Sequence, residues 1–439
     1  MIEIEELYKL YKKCTGVATD SRRIGEGSMF FALRGGNFDG NDFAMKALEA
    51  GAKYAVVDRP TLDGANIKGR RYCIVVENVL QTLQRLAAYH RKQFEIPVVG
   101  ITGTNGKTTT KELINAVLSQ KYRVVATNAN FNNHIGVPLT LFNINEKTEL
   151  AIVEMGASAP GEIASLVEIA QPTCGIVTNV GKAHLLGYGS FEAIKKTKGE
   201  LYDYLRQKGG TVFYNADNDV LQEMVSARNG LVARKFGVQY EQAEVLPASA
   251  GEPYLRIKLK DREASVNTRL VGAYNADNVM AALAIGRHFD VSLNDAVKAV
   301  MSYVPTNDRS QLVHTDRNDL IVDTYNANPT SMVAALDNFA STSFVNKALI
   351  LGDMLELGEA SVSEHRDILE KACGVADLIF LVGQDFKEAA RSIRHKGTIK
   401  CFDTSAELRE YLETEAVECR TILIKGSHGI HLEKLPEVL

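Results

Sequence analysis

Tryptophan is absent from the 439 residues, and the 16 tyrosines and 16 phenylalanines give no pointer to a base-stacking platform. No apolar run approaches the ~20 residues that a bilayer span requires. An excess of charge of one sign is also lacking. The 50 Lys and Arg against 54 Asp and Glu leave a net charge of −4, which offers no global attraction to nucleic acid or to an anionic membrane. The six cysteines (Cys14, Cys73, Cys174, Cys373, Cys401, Cys419) stand singly, with no CxxC and no zinc spacing. In a chain of this length they read as reduced, mostly buried thiols of a cytosolic protein. The opening MIEIEELYKL is acidic and amphipathic and has no basic segment followed by an apolar one, so no signal peptide and a cytoplasmic location are expected. Internal repeats and low-complexity stretches are missing too.

What is present is ordinary soluble composition, 45% apolar and 24% charged, on a chain too long for one hydrophobic core. Residues 1–94 mix short strands (Met29–Leu33, Tyr54–Val57) with short helices (Asp42–Ala50) and close on a helical run, Val79–Gln93. From 95 to 305, helical patterns alternate with β-branched runs at Pro97–Thr102, Ala151–Glu154, Gly175–Val180 and Gly210–Asn215, an alternation that argues a parallel sheet with crossover helices. The segment Tyr303-Val304-Pro305-Thr306-Asn307-Asp308 has turn chemistry and reads as a hinge. A second α/β rhythm fills 306–439, with strands at Leu320–Asp323, Ala348–Leu351, Leu378–Val382 and Ile422–Lys425. Each ends in a glycine or polar cluster, where open α/β sheets bind ligands.

One stretch carries specific chemistry. Val98–Lys111, VVGITGTNGKTTTK, is an apolar strand, a glycine loop and a helix opening on Lys107-Thr108-Thr109. Phosphates need backbone N–H groups that approach closely, and they favour a helix N-terminus, whose unpaired donors and dipole attract anions. A lysine then reaches the terminal phosphates and a hydroxyl holds Mg²⁺. The spacing departs from GxxxxGK[ST], because Ile101 stands in place of the first glycine and the loop reads Gly103-Thr104-Asn105-Gly106-Lys107-Thr108. A nucleoside triphosphate is the expected ligand.

The remaining candidates are less specific. Glu154 ends a strand, where a carboxylate either holds the Mg²⁺ that the nucleotide brings or caps the following helix near Gly161. His184, in Thr178-Asn179-Val180-Gly181-Lys182-Ala183-His184, is by residue type more often structural than a ligand. Lys198 reads as part of a solvated helix face, since an ammonium ion cannot ligate a metal. Asn275 and Asn278 share a helix face and suit either a base or sugar contact or a capping role. Tyr325-Asn326-Ala327-Asn328-Pro329, following Asp323 at a strand end, is either a cap cluster or a polar ligand rim.

Taken together and in order, these segments resemble the Mur ligases, the ATP-dependent amino-acid and peptide ligases of peptidoglycan assembly, over essentially the whole chain. The matching motifs are Thr19-Asp20-Ser21-Arg22, the run FFALRGGNFDGNDF at 30–43, Asn130-Phe131-Asn132-Asn133 with Gly136 and Pro138, and Glu154-Met155-Gly156-Ala157-Ser158. Two more segments, Asn326-Ala327-Asn328-Pro329 and Leu351-Gly352-Asp353-Met354-Leu355-Glu356-Leu357-Gly358, favour the member that adds D-Ala-D-Ala to UDP-MurNAc-tripeptide. Folylpolyglutamate synthases share the phosphate loop, but they resemble this family only in its later domains. The resemblance implies an α/β protein of three domains: an N-terminal UDP-sugar-binding domain (1–94), a central P-loop ATPase domain with a mainly parallel sheet (95–305) and a Rossmann-like C-terminal domain (306–439).

For individual residues the resemblance implies that Gly103, Thr104, Asn105, Gly106, Lys107, Thr108 and Thr109 surround the phosphates of ATP. It sets Asn275 and Asn278 near the adenine and brings Arg309 and Asp323 to the nucleotide. Thr108 and Glu154 hold one Mg²⁺, and His184 helps to hold a second. Lys198 falls where many relatives carry a carbamylated lysine, whose carboxylate-like group binds Mg²⁺. Lys107, His184 and Lys198 are thus the implied catalytic residues. Ser21, Arg22, Asn37, Asp39, Asn132, Asn133, Ser158, Asn326 and Asn328 are the implied substrate contacts, and a monomer is implied. Departures exist. The usual Lys-Gly-Ser-Arg-Gly reads Lys425-Gly426-Ser427-His428-Gly429 here, with His431 where a second arginine is common, and histidine lacks arginine's permanent bidentate charge.

Overall fold

The computed structural model describes residues 2–62, 66–67, 70–71, 73–249, 251–260, 265–306 and 309–439. The chain forms two compact units, one of Met1–Ile101, Tyr122–Ala157 and Glu162–Gly175, the other of Thr102–Lys121, Ser158–Gly161 and Ile176–Leu439.

The first unit begins with a four-stranded parallel sheet in the order Val17–Ala18, Met29–Phe31, Tyr54–Val57, Cys73–Val75. Met29, Phe31, Val56 and Leu83 fill one face and Phe30, Ala32, Ala44 and Ala55 the other, which is why these strands are continuously apolar. The helix expected over Asp42–Ala50 is split. Asp39 caps a 3₁₀ turn, Gly40–Phe43, through its contact with the Asn41 N–H, and the α-helix proper is Ala44–Glu49. The strand expected at Met29–Leu33 stops at Phe31, and the helix expected to reach Gln93 is Val79–Arg91.

A buried aromatic knot ties this N-terminal part to the rest of its unit. His90 is 4% exposed, and its rings-and-bonds environment joins the first helix, Ile4–Tyr11, to the chain at 142–144. Nε2 lies 2.9 Å from the Ile144 carbonyl and so donates, leaving Nδ1 to accept from the Tyr8 hydroxyl at 3.1 Å.

The central sheet runs Val232–Phe236, Thr211–Asn215, Cys174–Val177, Val98–Thr102, Leu150–Glu154, Val124–Ala126, with its registered pairs parallel. The expected parallel rhythm does not continue to residue 305. Glu244–Leu246, Tyr254–Lys258 and Val266–Val271 form a separate antiparallel sheet of three strands. Burial alternates along Tyr254–Lys258 and most of Val266–Val271, the mark of a sheet with one wet face, whereas Val98–Thr102 and Leu150–Glu154 are buried at every position.

The last sheet runs Gln311–His314, Asp319–Asp323, Thr421–Lys425, Lys347–Gly352, Leu378–Val382, Thr398–Phe402, and only its first pair is antiparallel. The expected strands are all present, and Gln311–His314 and Thr398–Phe402 are additional. Both of its faces are covered by apolar clusters. In the expected hinge, Asn307 and Asp308 lie outside the described residues.

Burial lowers the His90 imidazole from its ordinary 6.5. Because the folded chain binds that proton less readily than the unfolded one, the stabilisation is complete above pH 6.5 and declines as the pH falls below it toward the lowered value. Unfolding in urea across this range should show stability decreasing with acid, and His90→Gln should flatten that dependence. An unchanged slope in the variant would assign the dependence to other groups.

Candidate active site

The phosphate loop is shaped by what glycine permits. Gly103 has φ +145°, and a Cβ there would stand 2.0 Å from the Thr178 hydroxyl. Gly106 has φ +76°, and its Cβ would stand 2.7 Å from Asn278 Oδ1. Any side chain would therefore spoil both the backbone conformation and the packing. The helix Lys107–Leu118 starts immediately after Gly106, which has no side chain to cap it, and a helix N-terminus at the end of such a loop suits phosphate oxygens.

The loop is rigid because its neighbours hold it. At the carboxyl end of Cys174–Val177, the Thr178 hydroxyl and the Asn179 amide donate to the Asn105 carbonyl at 2.6 and 3.0 Å. Asn179 also accepts from the Asn105 N–H at 2.9 Å, and the Gly181 N–H donates to the Thr104 hydroxyl at 2.9 Å. Lys107 folds back so that its ammonium group donates to the carbonyls of Gly103 (2.9 Å) and Thr104 (3.0 Å). Thr108 and Thr109 are buried on the helix's first turn. Sequence reasoning did not single out Thr178 and Asn179, although their place at a strand end after Cys174–Val177 was a usable signal.

Asn275 and Asn278 are 1% and 7% exposed and belong to a relay. Asn275 donates to the Val271 carbonyl (2.8 Å), Asn278 donates to Asn275 (2.9 Å), and the Thr110 hydroxyl donates to Asn278 (2.9 Å). They brace the helix Ala276–His288 against the phosphate-loop helix, and neither caps a helix with its side chain.

The last sheet contributes at its own strand ends. Asp323 and Lys425 stand side by side in parallel register, and the buried Lys425 ammonium donates to Asp323 at 2.6 Å and to the Asn326 carbonyl at 3.2 Å. Arg309 lays its guanidinium on the Tyr325 ring, 3.6 Å from the centroid, and Tyr325 stacks in turn on His428. Asn328 has two roles. It caps the helix Pro329–Ser341 in a capping box with Ser331, and its amide donates to Asn105 of the phosphate loop at 2.7 Å. Asn326 is exposed, with its side-chain oxygen accepting from the Ala327 N–H.

His184, in the left-handed region at φ +51°, turns Nδ1 to the Glu356 carboxylate. Lys198 is 2% exposed, not on a solvated face, with its amine 3.4 Å from the Tyr188 hydroxyl. The carbonyl of Ser158 lies where a Cβ at Gly187 would stand, 2.2 Å away.

Glu154, in the first unit, is 1% exposed and accepts from Asn132 at 2.8 Å. Asn133 uses its side-chain oxygen to accept from the N–H groups of Ile135 (3.0 Å) and Gly136 (2.9 Å), shaping the turn into Gly136–Leu141. Asp39 is committed to Asn41 and Arg59, contacts that hold its carboxyl down at about 2. Arg22 is bidentate to Asp20, Ser21 is half-buried and Asn37 is exposed.

Among the described residues no three His, Cys, Asp or Glu side chains form a group able to hold a metal ion. Hydroxyl and carboxylate oxygens suit Mg²⁺, which keeps several waters and phosphate oxygens as ligands, so the donors present fit that ion better than one needing a full protein cage. No helix among the described residues is long and apolar enough to cross a membrane.

Three family models match the chain: the Mur ligase family catalytic domain over residues 13–96, the Mur ligase middle domain over 101–286 and the Mur ligase glutamate ligase domain over 308–428. The UDP-N-acetylmuramoyl-tripeptide–D-alanyl-D-alanine ligase of Bacillus subtilis is 35% identical over 431 residues, covering 96% of this chain and 92% of that protein. Among solved structures, MurF from Acinetobacter baumannii superposes with a TM-score of 0.85 at 30% identity, covering 99% of this chain and 97% of that one. MurF ligase from Thermotoga maritima in complex with ADP gives 0.81 at 27%, covering 96% of each.

Lys107→Ala should leave the fold intact and lower ATP-dependent turnover by about 10³-fold, the scale of losing a cation that neutralises transferring phosphate oxygens. Steady-state phosphate release measures it, and a loss under tenfold would remove Lys107 from the phosphates.

Proposed function

The chain belongs to the Mur ligase family, and from that premise we propose that it joins D-Ala-D-Ala to UDP-MurNAc-tripeptide at the expense of ATP, giving UDP-MurNAc-pentapeptide, ADP and phosphate. The observation that carries this reading is the bond from Asn328 to Asn105. It sets the Asn-Ala-Asn-Pro segment, which distinguishes this member by resemblance, against the phosphate loop. Similarity to the UDP-N-acetylmuramoyl-tripeptide–D-alanyl-D-alanine ligase of Bacillus subtilis over 96% of the chain supports the same choice.

Joining a carboxylate to an amine in water is uphill, and a carboxylate oxygen is a poor leaving group. ATP meets both difficulties. The terminal carboxylate of the tripeptide attacks the γ-phosphorus, the bond to ADP breaks and an acyl phosphate forms. The amine of D-Ala-D-Ala then bonds to the acyl carbon, and phosphate leaves with the carboxylate oxygen. Lys107 swings from the loop carbonyls to the phosphates, where its charge is most useful as negative charge spreads in the transition state. Thr108, Glu154, His184 and Lys198, the last as its carbamate, would hold Mg²⁺, which would supply further neutralisation. The protein otherwise positions the reactants and excludes water, since an unprotected acyl phosphate would hydrolyse.

Domains 1–94, 95–305 and 306–439 are assigned to the UDP-sugar, the nucleotide and closure over the site, a division supported by the three family-model segments. Asn275, Asn278, Arg309 and Asp323 serve the nucleotide. Ser21, Arg22, Asn37, Asp39, Asn132, Asn133, Ser158 and Asn326 serve the substrates, several of them by shaping backbone. The reading includes a cytoplasmic monomer.

Phosphate release with ATP, Mg²⁺, UDP-MurNAc-tripeptide and D-Ala-D-Ala, each omitted in turn and the product weighed, tests the reaction. Turnover should need all four and yield the pentapeptide. Turnover with a single amino acid instead would move the chain elsewhere in the family, and hydrolysis independent of acceptor would contradict a ligase.

A further inference from the structure

Two non-glycine residues in the left-handed region meet side chain to side chain, His184 at φ +51° and Glu356 at φ +64°. A residue in that region bears a conformational cost and persists where the surroundings over-determine it, often at functional sites. The surroundings of Glu356 are of that kind. Its carbonyl accepts from the Leu186 N–H at 3.2 Å, and the Lys182 ammonium reaches Glu364 at 2.7 Å a few residues further on.

The preceding turn is anchored just as firmly. Asp353 accepts from the N–H groups of Asp385 (3.0 Å) and Phe386 (2.9 Å), and the Met354 N–H donates to the buried His365 at 2.9 Å. The Leu355 N–H donates to the Ser427 hydroxyl at 3.0 Å. The carboxylate of Glu356 is thus aimed by its neighbours while its own side chain stays 58% exposed. Two apolar side chains beside it are open to water as well, Leu186 at 72% and Leu355 at 45%.

We infer that Glu356, flanked by Leu186 and Leu355, receives the amine end of the acceptor, an assignment that rests on the ligase reading. The free amine of a dipeptide is largely an ammonium ion near neutral pH, its ordinary pKa being about 8. In D-Ala-D-Ala a methyl group sits on the adjoining carbon. A fixed, accessible carboxylate between two exposed leucines matches that pairing of a cation with a small apolar group. His184, the partner of Glu356, follows the strand end whose Thr178 and Asn179 hold the phosphate loop, so the acceptor is received on the loop that leads to the phosphates. Glu356 is a binding and specificity residue here, and no proton transfer is assigned to it.

Hydroxylamine separates this role from a structural one. It is uncharged at neutral pH and carries no methyl group. Its nitrogen bonds to the acyl carbon of an acyl phosphate, the bond to phosphate breaks and a hydroxamate results. With ATP, Mg²⁺ and UDP-MurNAc-tripeptide, wild type and Glu356→Gln are offered hydroxylamine and D-Ala-D-Ala separately. The expected result is a KM for D-Ala-D-Ala raised at least tenfold in the variant. The ratio of hydroxamate rate to ligation rate should rise at least tenfold, with partial recovery in Glu356→Asp. Leu355→Ala should shift the ratio in the same direction by a smaller factor. A ratio that stays at the wild-type value, whether both rates fall together or neither does, overturns the assignment. A wild-type protein that forms neither hydroxamate nor ligated product overturns the ligase reading itself, and with it this assignment.

Discussion

The conflict between freedom and rigidity in the phosphate loop is the constraint on which the rest of the site depends. Phosphate oxygens demand a backbone without side chains in the way, and Gly103 and Gly106 supply it at φ values other residues resist. A loop so permissive has little order of its own. Order comes from outside, through Thr178, Asn179 and Gly181 on one side and Asn328 on the other. Asn328 matters most in this respect, because it is also the cap of Pro329–Ser341. The helix of the last sheet and the geometry of the phosphate loop therefore share one amide.

The strand ends of the last sheet obey the same logic. Parallel register sets Asp323 beside Lys425, and the glycine at 383 is required because Asp353 occupies the place of its Cβ, 2.1 Å away. These are fixed charges on short, anchored loops, the arrangement that preorganises a site before substrate arrives. Glu356 inherits its direction from this framework and not from packing of its own.

The phosphate loop was legible in the sequence because its chemistry leaves few alternatives: a strand, two glycines, a lysine and hydroxyls in fixed order. The strands of the last sheet were legible because burial on both faces makes them continuously apolar. The antiparallel sheet at 244–271 was not, since amphipathic strands in a long α/β segment look like weak versions of their neighbours. Lys198 was read as solvated, and the structure buries it, because a helix pattern rich in lysine hides the one that turns inward. Glu356 lies within the segment Leu351–Gly358, yet what sets it apart there is a left-handed backbone and a partner 172 residues away. Neither is visible to a reading based on local spacing.

The most direct test of the account follows oxygen. UDP-MurNAc-tripeptide labelled with ¹⁸O in its terminal carboxylate is turned over with ATP and D-Ala-D-Ala, and the released phosphate is weighed. If the carboxylate is activated as an acyl phosphate, one labelled oxygen per turnover appears in the phosphate. Unlabelled phosphate accompanying a fully formed pentapeptide would contradict it.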